Sequence, residues 1–179
     1  GIKAGVKLTN GYGPYDATNP AYRKNVRIVT KAHFTPNVER LISGKTASII
    51  VDIDYTLRAI PNYHRAFYAV AKYQPLKPKL RHKYYTAECY FKRAIYFQPK
   101  DDISRMLYGM HLHLTGKYNQ AKNIYQQALI LRPDGAELNY NYGLLLIDMK
   151  QFKLAKQAAA IAYNKGYPLQ GLKKKLASH

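Results

Sequence analysis

Tyr108-Gly109 and Tyr142-Gly143 stand one repeat apart, and each brings a whole pattern with it. From Asp102 to Asp134 the chain sets Leu112, Gly116, Tyr118, Ala121, Tyr125, Ala128 and Pro133 at fixed spacings behind the first pair. A shift of ~34 residues finds Leu146, Phe152, Ala155 and Ala162 in the same places behind the second. The proline position then holds Tyr167, with Pro168 one step late. Shifting back from Pro133 recovers Ala87, Phe91, Ala94 and Pro99, and ahead of them Phe67, Val70 and Ala71 once a short insertion around Pro75 to Pro78 is set aside. The spacing has a packing logic. Small residues (Gly109, Ala121, Ala128) sit where two antiparallel helices touch, Leu112 and Tyr125 fill the gaps beside them, and Pro133 ends the pair. The fold class this predicts is all-α, an antiparallel helix-pair solenoid, because a pair of helices cannot bury its apolar face without stacking on a neighbour.

Residues 64–176 therefore resemble a tetratricopeptide repeat array, with Asp102 to Asp134 as its most specific motif. The units read as 64–99, 102–135 and 136–168, with 36–62 as a divergent helix pair and 169–177 as a capping helix. Lys173, Lys174 and Lys175 on that cap would keep the open end of the stack soluble. Thr35-Pro36 opens a helix that Gly44 closes, and a second helix is expected from Thr46 to Ile60. Ahead of them, residues 1–35 carry Gly11, Gly13, Pro14 and Pro20 with little helical period and read as an irregular, extended segment.

The words Tyr12-Gly-Pro-Tyr-Asp16, His33-Phe-Thr-Pro36, Asp54-Tyr-Thr-Leu-Arg-Ala59 and Pro61-Asn62 resemble the leader region of a group of bacterial, exported tetratricopeptide proteins. That resemblance implies a periplasmic or otherwise exported location, with the cytoplasm as the alternative. The start at Gly1 fits a processed export product or a tag remnant.

Tetratricopeptide families bind in the concave face lined by the first helix of each unit. Carried over position by position, the resemblance implies a groove of Arg65, Tyr68 and Lys72 from the first unit. The second contributes Ile103, Met106, Met110, His113 and Leu114, and the third Glu137, Tyr140, Leu144, Ile147 and Asp148. Mostly apolar, with soft Met and amphipathic Tyr, the set suits an amphipathic helix or an extended segment with bulky side chains. In the bland alternative, Met106 and Met110 simply pack against a neighbouring helix or a folded-back N-terminal segment. The carboxylate-gripping groove of better-known relatives is not carried over, since only Arg65, Lys72 and Asn141 would serve it.

Charge says who approaches. The 29 Lys and Arg against 10 Asp and Glu leave +19, spread along both halves, which favours acidic partners. The densest basic stretch holds Lys77, Lys79, Arg81 and Lys83. The expected partner is another protein or peptide, acidic or amphipathic. The alternative is an anionic polymer such as nucleic acid, acidic glycan or lipid head groups held by the basic surface, with the 18 Tyr available for stacking. Sequence-specific nucleic-acid reading is not favoured, for want of a recognisable module. No run approaches the length that spans a bilayer.

Nothing in the chain reads as an enzyme, a cofactor site or a metal site. Ile49-Ile-Val-Asp52-Ile-Asp54-Tyr-Thr56 imitates the nucleophile strand of haloacid-dehalogenase phosphatases, but helix pairs follow where strand and helix should alternate. Ser43-Gly44-Lys45-Thr46 echoes a phosphate loop, yet Glu39 stands where its first glycine is required. His111 and His113 face apart on a helix, and the single Cys89 reads as a small helix residue beside Phe91.

Overall fold

The computed structural model describes residues 7–77 and 84–178. Among them are ten α-helices and no strand, and the chain divides after Pro99 into two compact units.

The first unit holds α1 (Arg23–His33), α2 (Pro36–Glu39), α3 (Ile49–Ala59), α4 (His64–Leu76) and α5 (Ala87–Phe97). The expectation of an irregular segment over 1–35 is corrected here: after a 3-10 turn at Pro20–Tyr22, residues 23–33 are helical. Val29 is buried in a cluster with Ala59 and Ile60, and Val26, Tyr12 and Tyr55 pack around it. One apolar stripe on a Lys- and Arg-rich helix suffices once it meets α3. Thr35 and Pro36 do open α2, although the Thr35 side chain makes no capping bond. α3 begins at Ile49 instead of Thr46, because the amides of Lys45 and Thr46 are both bonded to the Asp52 carboxylate. At the centre of the unit Phe67 and Phe91 pack with ring centroids 4.7 Å apart, and α5 starts where the Thr86 hydroxyl accepts from Cys89 N.

The second unit holds α6 (Asp102–Leu114), α7 (Tyr118–Leu131), α8 (Ala136–Asp148), α9 (Phe152–Asn164) and α10 (Gly171–Ala177). These are the helices the repeat spacing predicts, α6 pairing with α7 and α8 with α9. The helix ends repeat as well. After α6, Lys117 N donates to Leu112 O and Gly116 takes a φ of 75°. After α8, Gln151 N donates to Leu146 O, and Lys150 takes the same left-handed turn at 58°. Lys150 thus occupies the glycine position of the repeat and carries a Cβ penalty there. Lys150→Gly is expected to stabilise the unit by up to about 1 kcal/mol, seen as a rise in Tm.

Candidate functional site

Repeat spacing puts glycine where a second helix must come close. A Cβ on Gly109 would lie 3.0 Å from three ring atoms of Tyr125, and one on Gly143 would lie 2.6 Å from Leu172 Cδ2. The Tyr125 ring is thereby clamped between the paired helices, and α10 is seated on α8 through a wholly buried Leu172. The Tyr163 hydroxyl fixes the start of α10 by accepting from Lys173 N at 2.9 Å and donating to Leu169 O at 3.1 Å.

Between these helices lies a hollow of about 400 Å³. α6 supplies Met110, His113 and Leu114, and α8 supplies Asn141, Leu144 and Asp148. α7 adds Tyr118 and Tyr125, and α10 adds Lys175. Leu114 is 83% exposed, a large apolar side chain presented to solvent at the rim. Asp148 is held from two sides: His113 Nε2 lies 2.8 Å from Oδ2 and Lys175 Nζ lies 3.5 Å from Oδ1. Burial pushes the Asp148 carboxyl up, but the His113 hydrogen bond and the Lys175 charge outweigh it and hold the group below the usual carboxylate range.

Tyr125 is fully buried, and its hydroxyl has no hydrogen-bond partner among the described residues. Burial, aided by the Glu137 charge, pushes its pKa up, so the phenol stays neutral. An orphaned buried hydroxyl costs about 1–3 kcal/mol. Tyr125→Phe is therefore expected to leave the Tm of the free protein unchanged or raise it, where most replacements of a buried tyrosine lower it.

The likeness to known proteins lies in the fold alone. No family model matches the chain, and no curated protein does. The crystal structure of MamA is similar, with a TM-score of 0.50 at 16% identity over 87% of this chain and 89% of that one. YrrB, a TPR protein with an unusual peptide-binding site, gives 0.43 at 14% identity over 88% and 91%. This chain has the tetratricopeptide-repeat fold.

The groove positions that the tetratricopeptide resemblance implies are only partly brought together. Met110, His113, Leu114, Leu144 and Asp148 line the hollow. Met106, Tyr140 and Ile147 are buried in the second unit instead. Tyr140 packs on Tyr167 at 4.5 Å, and a Cβ on Gly171 would meet its hydroxyl at 2.7 Å, so the run into the capping helix covers that tetratricopeptide position. Ile103 lies on α6, and Glu137 is exposed at the start of α8. In the first unit Arg65 pairs with Glu39, and Lys72 Nζ sits 4.5 Å over the Tyr68 ring. Lys77 is exposed at the end of α4, while Lys79, Arg81 and Lys83 lie outside the described residues.

Tyr118, Tyr125 and Lys175 also line the hollow, although the repeat reading assigned them to packing or to solubility. Their signal is present in the sequence only as an aromatic pair one helix turn apart twice over and a lysine run on the cap. Residues of the leader words make contacts within the first unit. Asp16 accepts from Asn62 Nδ2 at 2.7 Å and Gln98 Nε2 at 2.8 Å, and His33 stacks on Tyr55 at 4.0 Å. Asp52 and Asp54 lie on α3. Asp54 is occupied by Arg58 at 2.9 Å and Tyr90 at 2.5 Å. No group of three metal-ligating side chains occurs among the described residues. No helix among them is long and apolar enough to cross a membrane.

Proposed function

We propose that the protein is an interaction module, and that the hollow of the second unit takes a bulky side chain from a peptide or helical segment of a partner. The observation that carries this reading is an open, largely apolar hollow between first helices α6 and α8 with the exposed Leu114 among its lining residues. Leu114 and Leu144 offer apolar area to a side chain that inserts there.

The test is selection of a displayed random peptide library on the protein, with each clone rebound to Leu114→Glu. Leu114 is exposed, so the fold tolerates the change, and the expected loss of affinity is about tenfold or more. Clones that ignore Leu114→Glu and wash off with salt would favour the anionic-polymer alternative, which rests on the +19 charge.

A further inference from the structure

The charges of the second unit are unevenly used. Residues 100–179 carry 12 Lys and Arg against 5 Asp and Glu, a net +7. Several of those carboxylates are already engaged. Asp134 pairs with Lys165 at 2.7 Å, Asp102 lies 3.7 Å from Arg132, and Asp101 caps α6 by accepting from Ser104 N. The surplus is cationic, with Lys173, Lys174 and Lys175 exposed along α10.

Lys175 differs from the other two. It alone of the three lines the hollow, on a helix whose backbone is pinned by Leu172 and Tyr163. Its side chain is 54% exposed and its Nζ makes a long contact of 3.5 Å to Asp148 Oδ1, while His113 serves the other oxygen at 2.8 Å. Lys175 can therefore turn to a new carboxylate without stranding Asp148, which keeps its shorter partner. A lysine, which only donates, selects for oxygens that only accept.

Resting on the reading above, we infer that the partner segment is acidic: an aliphatic side chain enters between Met110, Leu114 and Leu144, and a flanking carboxylate takes Lys175 from Asp148. The hollow is thus a composite site, with apolar affinity supplied by α6 and α8 and charge selection supplied by the capping helix.

The experiment uses the same random-peptide selection, keeping only clones whose binding is lost in Leu114→Glu. These groove-dependent clones are expected to be enriched in Asp and Glu beside Leu, Ile or Met. Their affinity is expected to fall about tenfold in Lys175→Glu and to change less than about twofold in Lys153→Glu, which alters net charge equally from an exposed position on α9. Lys175→Ala is expected to weaken them about three- to fivefold, and thermal melts confirm that each variant is folded. Groove-dependent clones without acidic enrichment, or equally weakened by Lys175→Glu and Lys153→Glu, overturn the acidic partner and leave the groove standing. A selection that yields no groove-dependent clone overturns the groove itself, and the inference with it.

Discussion

Asp52→Ala is expected to destabilise the first unit by about 3–5 kcal/mol, read as a lower urea midpoint. The carboxylate is fully buried. It accepts from Lys45 N at 2.6 Å, Thr46 N at 3.1 Å and the Thr46 hydroxyl, with His33 Nδ1 at 3.0 Å. Removing it strands two amides and a hydroxyl at once and releases the loop that carries the chain from α2 to α3. Asp52→Asn is expected to fall between the two, since one oxygen becomes a donor facing donors. A midpoint within experimental error of wild type for Asp52→Ala would contradict this account.

The same carboxylate sets a pH dependence. Burial pushes Asp52 up, but the bonds from Thr46, His33 and the two backbone amides outweigh it and hold its pKa below the ordinary value, and Asp16 is lowered in the same manner by Thr18, Asn62 and Gln98. A carboxyl with a folded pKa below its unfolded one binds protons more readily when unfolded. Its contribution is therefore complete above the unfolded value of about 3.9 and is lost as pH falls through the folded value. The urea midpoint of the wild type should drop on acidification below about pH 4, and less steeply in Asp52→Asn.

Leu172→Ala is expected to remove about 2–5 kcal/mol from the docking of α10. Leu172 is wholly buried, and it fits closely because Gly143 offers no Cβ. A helix of seven residues does not hold itself together in water, so it depends on its anchors, of which Leu172 is the one buried side chain beside the Tyr163 hydrogen bonds. Hydrogen exchange of the amides in 171–177 should then rise to that of a frayed terminus, while those of α6 and α7 keep their protection. If α10 remains protected in Leu172→Ala, another contact seats it. Because Lys175 travels with α10, the variant should also weaken groove-dependent peptides about as Lys175→Ala does.

Much of this architecture was legible in the residues. The pairs Tyr108-Gly109 and Tyr142-Gly143, with Ala121, Ala128, Ala155 and Ala162 in register behind them, mark where backbones approach. Only small side chains permit that approach, so periodic small residues report helix contacts directly. The same register located α6 to α9, and four of the positions it singled out, Met110, His113, Leu144 and Asp148, line the hollow. The helix at 23–33 escaped it, since Val26 and Val29 make too thin a stripe to read until α3 supplies the other half of the contact.

What the sequence determined by itself is thus local and periodic: the helix pairs, the residues that face one another along them, and the excess of positive charge. Whether a groove position stays open was decided by tertiary packing. Met106 and Tyr140 sit at matching repeat positions and are both buried, Tyr140 beneath the chain leading into α10, while Leu114 one turn beyond Met110 is left in solvent. Lys175 became part of the hollow because α10 folds back onto Gly143, and Tyr125 lost its hydrogen-bond partners because Gly109 lets its ring sink between helices. Spacing along a helix fixes direction, but exposure depends on which other element arrives at that face, and that depends on contacts far apart in the chain.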